Sequence, residues 1–190
     1  MVDYNKIASE LHADAVAKGF WDVPYAIEKH IAKMHSELSE ALQEDRCGRP
    51  MLYVDDIQEP ERVTDVSKFD GRKPEGIAAE LADFVMMTLD LFAETGLNIN
   101  ALLGPAYDSL NSDLYVMYNE LPLHRLVLHC HDATTHLLCG ADNDQLISAI
   151  FMCTHGIELW LKQRGVNLWD VIALKRAYNK NRPALHGRKY

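Results

Sequence analysis

Two pairs of carboxylates carry the chemistry this chain can do. Glu37 and Glu40 stand three residues apart, as do Glu80 and Asp83. On a helix, side chains three apart project from one face, so each pair would point in a single direction. Two such helices turned toward each other would gather four carboxylates. Like charges held together are unfavourable unless a cation sits among them, and hard oxygen donors of this type suit Mg2+, with Mn2+ as a substitute. The competing account is that these acids face solvent, because Glu-x-x-Glu spacing is common on exposed helix faces. The flanking residues argue for the core: Leu38, Ala41 and Leu42 surround the first pair, and Leu81, Ala82, Phe84 and Val85 surround the second. Acids placed beside a core need partners.

The elements that would position them are helices. Apolar residues Ile7, Leu11, Ala15 and Val16 recur with a helical period from Tyr4 to Lys18, and Gly19 ends that run. Ile27, Ile31, Met34, Leu38, Ala41 and Leu42 mark a second amphipathic helix from Pro24 to about Glu44. Residues 45–73 break the period with Gly48, Pro50, Pro60 and Gly71 and include a strand-like piece at Met51, Leu52, Tyr53 and Val54, which reads as a long excursion or small hairpin. Pro74 and Glu75 read as the opening of a third helix that runs on from Ile77 to Glu94 and stops at Gly96. Beyond Asn98 the pattern is helical almost throughout, with breaks near Gly104 and Pro105, at Leu121 and Pro122, around 140–143, and at Gly165. A last helix from Leu168 to Lys180 precedes a basic tail. The predicted fold class is an all-α helical bundle.

The chain also reads as an internal repeat. Residues 79–99 lie over 148–168 without a gap, and both segments end in Gly-apolar-Asn-apolar, at 96–99 and 165–168. Upstream, 34–41 can be laid over 128–135. In this register the second copy has His131 and Thr134 in place of Glu37 and Glu40, and Ala149 and Met152 in place of Glu80 and Asp83. The organisation expected is one all-α domain over 1–190: an active half at 1–100, a degenerate helical repeat at 101–168 that supports it, and a C-terminal helix with a basic tail at 169–190. Chance similarity of two amphipathic helices is the alternative.

Composition narrows the partners. With 28 acidic against 19 basic residues and a net charge of -9, a nucleic-acid backbone is not expected as a ligand. No apolar run approaches a membrane span and the first residues lack a signal-peptide core, so no membrane partner and a cytoplasmic location are expected. Four cysteines without short paired spacing read as reduced thiols. His124, His129, His131, His136 and His155 lie near Cys130, Cys139 and Cys153 and raise zinc as a rival, but no pair has the tight spacing of a structural zinc site. A di-iron bundle would need Glu-x-x-His pairs, and the chain has none.

Several segments together carry a resemblance: residues 19–22 (Gly-Phe-Trp-Asp), 35–42 (His-Ser-Glu-Leu-Ser-Glu-Ala-Leu) through Arg46, 80–83 (Glu-Leu-Ala-Asp), then Lys175, 178–183 (Tyr-Asn-Lys-Asn-Arg-Pro), and His186 with Gly187. The chain thus resembles the MazG-like all-α nucleoside triphosphate pyrophosphohydrolases, whose motif is Glu-x-x-Glu on one helix and Glu-x-x-Asp on the next. The resemblance covers most of 1–100 and 165–190. It departs from the family in a longer loop between the acid pairs and in the intervening 100–165, which matches the inactive second half fused in dUTPase-type members.

The resemblance implies cleavage between the α and β phosphates of an NTP or dNTP, giving a monophosphate and pyrophosphate. Glu37, Glu40, Glu80 and Asp83 would hold Mg2+ on the phosphates, with Glu37 or Glu40 orienting the attacking water as base. Lys175, Asn179 and Arg182, four and three apart, would share a face of the last helix and reach the phosphates, or else form a solvated basic helix end. Trp21 would stack on a base or cap the core. Glu44 would support the site or lie exposed. A homodimer or higher homo-oligomer is implied, and base and sugar preference stay open among dUTP, dCTP, purine dNTPs and noncanonical nucleotides. The alternative is a non-catalytic helical module that binds nucleotides or a protein, although such a module has no need of four converging acids.

Overall fold

The computed structural model describes residues 2–54, 61–62, 69–102, 118, 120–138 and 143–187; for Glu61, Arg62, Leu138, Asn143, Ile147 and Ser148 it describes the backbone alone. The described chain is mostly helical. Its helices are α1 (Tyr4–Ala17), α2 (Ala26–Arg46), α3 (Ile77–Glu94), α4 (Leu123–Leu138), α5 (Asn143–Phe151), α6 (Ile157–Gln163) and α7 (Leu168–Lys180). A π-helical segment, Met152–Gly156, joins α5 to α6, and a short 3-10 turn, Ala184–Gly187, follows α7.

α3 is the axis of the fold, and its sequence explains why. Ala78, Ala79, Leu81, Ala82, Phe84, Val85, Leu89, Leu91 and Phe92 leave almost no polar face, so a helix of this composition must be enclosed on all sides. It packs against α1, α2 and α7 and against the π-helical segment. α2 has the one-sided pattern of an outer helix, burying Ile31, Met34, Leu38 and Ala41, and it touches both α3 and α4.

The 45–73 excursion holds a small antiparallel sheet in the order β2 (Glu61–Arg62), β1 (Tyr53–Val54), β3 (Pro74–Glu75). The strand-like reading of 51–54 is met at Tyr53 and Val54. The reading of Pro74 and Glu75 as a helix start is corrected: Val54 pairs with Pro74 and Tyr53 with Glu75, and α3 begins only at Ile77. Proline suits either a helix start or the edge of a sheet, where its missing N–H costs nothing, and only the long-range pairing decides between them. Gly76 makes the turn from β3 into α3 at φ +104, against the carbonyl oxygens of Pro50 and Met51. The Met51 carbonyl then accepts from the amide of Ala78 (2.9 Å), which ties the first turn of α3 to the strand.

The two Gly-apolar-Asn-apolar endings fold alike. Gly96 and Gly165 take positive φ (70 and 76), and the next residue's amide reaches back to a helix carbonyl, Leu97 to Phe92 and Val166 to Leu161. Each asparagine then caps the following turn: Asn98 accepts from Ala101 and Asn167 from Trp169. Ile99 and Leu168, the last residues of each ending, are both buried. The expected breaks at Leu121–Pro122 and Gly165 are present, and those at 104–105 and 140–142 lie outside the described residues. No helix among the described residues is long and apolar enough to cross a membrane.

Glu158 on α6 accepts from Tyr4 of α1 (3.3 Å) and Trp169 of α7 (2.8 Å), and Arg176 of α7 bridges Glu10 and Asp14 of α1. These contacts hold α7 alongside α1. Substituting Gly76→Ala is expected to lower unfolding stability by about 2 kcal/mol, because a Cβ would lie 2.7 Å from the Pro50 oxygen and the backbone would keep an unfavourable φ. Urea denaturation of the two proteins measures it.

Candidate functional site

α2, α3, α1 and α7 line a cavity of about 320 Å³, to which the turn that carries His186 also contributes. All four sequence-predicted acids line it: Glu37 and Glu40 from α2, Glu80 and Asp83 from α3. One carboxylate oxygen each from Glu37, Glu40 and Glu80 lies within 4.8 Å of the other two, the one group of at least three His, Cys, Asp or Glu side chains so gathered among the described residues. Asp83 is differently engaged. Its Oδ2 lies 2.6 Å from Lys175 Nζ, so what was expected as an equal quartet is a triad beside an ion pair.

Burial governs the electrostatics. Glu37 and Glu80 are only 7% and 6% exposed, because Leu38 and Ala41 on α2 and Leu81, Ala82 and Phe84 on α3 draw these helix faces into the core. Burial, followed for Glu37 by the nearby charge of Asp83, pushes the Glu37 carboxyl up to about 7 from its ordinary 4.5. Burial likewise pushes Glu80 up to about 8, against the opposing pull of Lys175. Lys175 is itself buried, which alone would push its ammonium down, yet Asp83 and Glu80 outweigh that and hold it above its ordinary value. Lys33 adds a second cation, 3.8 Å from Glu37, and Ser36 donates to Glu40.

The remaining candidates divide. Lys175, Asn179 and Arg182 line the cavity together. Arg182 stays near Asn179 Oδ1 (3.4 Å) and the His186 carbonyl (3.3 Å). Lys18 Nζ bonds the carbonyls of Lys180 and Arg182, and Leu185 donates to the Lys18 carbonyl, so the end of α1 fastens the basic tail across the cavity. Trp21 is not among the lining residues; it stacks on His30 with ring centroids 5.1 Å apart and donates to Asp90 (3.1 Å). Its neighbour Phe20 lines the cavity instead, with Lys33 over its ring. Glu44 lies away from the lining and pairs with the Tyr53 hydroxyl.

Among the described residues the zinc grouping does not assemble. His131 stacks on His35 across the α2–α4 contact, His155 faces Glu158, Cys130 and Cys153 are buried thiols, and Cys139 lies outside the described residues. Sequence reasoning missed Lys18, Phe20, Lys33, His30 and Asp90 as cavity residues. Lys33 had a signal in its position four before Glu37, and Asp90 in falling seven and ten residues after Asp83 and Glu80, on the same helix stripe. Comparison with known proteins returns no match: no family model, no curated protein and no solved structure is similar to this chain.

Glu37 and Glu80 have folded-state pKa values above the unfolded ones. Their contribution to stability is therefore fully present below about pH 4.5 and is lost as pH rises through about 7 and 8. In chelator-containing buffer, Glu80→Gln is expected to gain in melting temperature relative to wild type between pH 5 and pH 9, and a flat or falling difference would refute the role of burial. Lys175→Met, which strands Asp83 and its acidic neighbours, is expected to cost about 3–5 kcal/mol at pH 8 and less at pH 5.

Proposed function

We propose that the protein is a Mg2+-dependent nucleoside triphosphate pyrophosphohydrolase that cleaves the α–β phosphate bond of an NTP or dNTP. The observation that carries this reading is the convergence of Glu37, Glu40 and Glu80 in one cavity that Lys175, Asn179 and Arg182 also line. Acids and bases gathered in a single concavity fit a polyanion that arrives with its metal. The resemblance of the acid pairs and of the 175–187 ending to the MazG-like enzymes supplies the reaction class.

The donor set fits a hard divalent ion. Three carboxylate oxygens within 4.8 Å of one another, two of them from acids whose burial favours the neutral form, are a cluster that a cation would stabilise in its charged state. Bound there, Mg2+ would neutralise charge on the phosphate oxygens and make a bound water more acidic. Glu37, Glu40 and Glu80 are the residues that would hold it. Of Glu37 and Glu40, the exposed Glu40, which accepts from Ser36, would be the base that orients the attacking water. Lys175 pairs with Asp83 and orients it, while Arg182 and Asn179 would offer N–H donors to phosphate oxygens. The hydrogen bonds from Lys18 hold the segment that carries Arg182 beside the cavity.

Pyrophosphate release measured on a panel of NTPs and dNTPs with Mg2+ or Mn2+ tests the reading. Monophosphate and pyrophosphate are the expected products, and Glu80→Ala and Asp83→Ala are each expected to lose activity by about 100-fold or more. No turnover on any nucleotide would leave the binding-module alternative. Because protons and metal compete for Glu37 and Glu80, the rise in melting temperature produced by Mg2+ is expected to be larger at pH 8 than at pH 6.

A further inference from the structure

The cavity extends beyond the acid cluster along α3. Glu80, Asp83, Met87 and Asp90 follow one another at helical spacings of three, four and three, and all four line it. At about 1.5 Å per residue, Asp90 stands about 10 Å along the axis from Asp83, the reach of a sugar and a base. Between the two carboxylates the lining turns apolar, with Met86 and Met87 from α3, Leu11 and Ala15 from α1, and Val23.

Asp90 closes this apolar stretch with a carboxylate that is half used. Its Oδ1 accepts two hydrogen bonds, from Trp21 Nε1 at 3.1 Å and in the pairing with His12 Nδ1 at 2.7 Å. Oδ2 accepts none among the described residues. The nearest polar group recorded for it is His30 Nε2 at 3.8 Å, and that nitrogen lies 2.8 Å from the Met87 carbonyl, which takes its N–H. Asp90 is one of the residues that line the cavity, and Oδ2 is the oxygen of its carboxylate left without a hydrogen bond there. The carboxylate is held rigid by Trp21 and His12 while one oxygen stays open, an arrangement that reads a ligand rather than merely filling space.

We propose that Asp90 Oδ2 is the acceptor that selects the base, so that the substrates are nucleotides whose base carries an exocyclic amino group rather than uracil or thymine. The proposal rests on the pyrophosphohydrolase reading and specifies its substrate class. An amino group donates a charge-assisted hydrogen bond to a carboxylate. Uracil and thymine instead carry a carbonyl where cytosine has its amino group, and two acceptors facing each other in an apolar cavity leave both unpaired. A phosphate chain at Glu37, Glu40 and Glu80 and a base at Asp90 would use the cavity from end to end. The apolar side chains between them would cover sugar and ring.

The test compares kcat/KM for dATP, dCTP and dGTP with that for dUTP and dTTP, in wild type and in Asp90→Asn, whose amide can donate as well as accept. Wild type is expected to prefer at least one amino-bearing substrate over both dUTP and dTTP by about 10-fold or more, and the variant to lose that preference. Equal or better turnover of dUTP or dTTP by wild type, or a preference unchanged in a folded Asp90→Asn, overturns the proposal and leaves the hydrolase reading intact. Trp21→Phe removes a donor to Oδ1 without touching Oδ2. It is expected to keep the preference even where total activity falls, and its loss there as well would show that Asp90 acts only through packing. Should Asp90→Asn fail to fold, the wild-type panel decides alone. If no nucleotide is turned over, calorimetric binding of dAMP, dCMP, dGMP and dUMP to the wild-type protein separates the two claims. Tighter binding of an amino-bearing monophosphate upholds the base selection while the hydrolase reading fails, and equal binding of all four overturns the selection too.

Discussion

The structure depends on how a crowd of carboxylates is kept inside a helical core. Glu37 and Glu80 are buried, Glu40 and Asp83 are at the cavity edge, and the charge that makes this tolerable is the ammonium of Lys175, 2.6 Å from Asp83. That cation comes from the last long helix, 92 residues beyond Asp83 in the chain. The pairing of α7 with α3 is therefore an electrostatic condition on the site as well as an act of packing. Burial favours the neutral forms of Glu37 and Glu80, the state in which these two carboxyl groups are least costly.

An apolar helix makes this arrangement possible. α3 is enclosed by α1, α2, α7 and the π-helical segment; Thr88 satisfies itself on its own helix at the Phe84 carbonyl, while the carboxylates at 80, 83 and 90 line the cavity. Its three acids on the cavity side, Glu80, Asp83 and Asp90, form a single stripe. The start of the stripe is set by Gly76 and by the bond between Met51 and Ala78, since a helix that began one residue earlier or later would turn the stripe by about 100°. A two-residue strand pairing thus sets the angular position of the acids. At positions that the repeat register lays over the acids, Thr134 bonds its own helix at Cys130, Ala149 is buried, and His131 stacks on His35.

Local pattern was enough to read the helices from sequence. α1, α3 and α7 lie where periodicity and the closing glycines put them, and both Gly-apolar-Asn-apolar endings adopt the cap that glycine and asparagine favour. The convergence of the acid pairs was also legible, because spacing on a helix is a geometric constant. What depended on distant partners was not. Pro74 is compatible with a helix start until Val54 pairs with it, Asp83 reads like its three fellow acids until Lys175 arrives, and Trp21 and Phe20 are adjacent aromatics whose different fates are set by His30 and Asp90 on one side and the cavity on the other. Asp90 carries no local mark at all beyond its place on the stripe.

The wall of the cavity is drawn from both ends of the described chain. Lys18 holds the carbonyls of Lys180 and Arg182, Leu185 bonds back to Lys18, and Arg176 is clamped by Glu10 and Asp14. During synthesis the acids emerge long before Lys175 and the residues that fasten the tail. A chain still lacking α7 carries the acids with Lys18 and Lys33 but without Lys175, Asn179 and Arg182, and the two groups meet only when α7 docks. Assembly of the pocket then waits on the docking of α7, and until that happens the acids lie in an open cleft rather than an enclosed one.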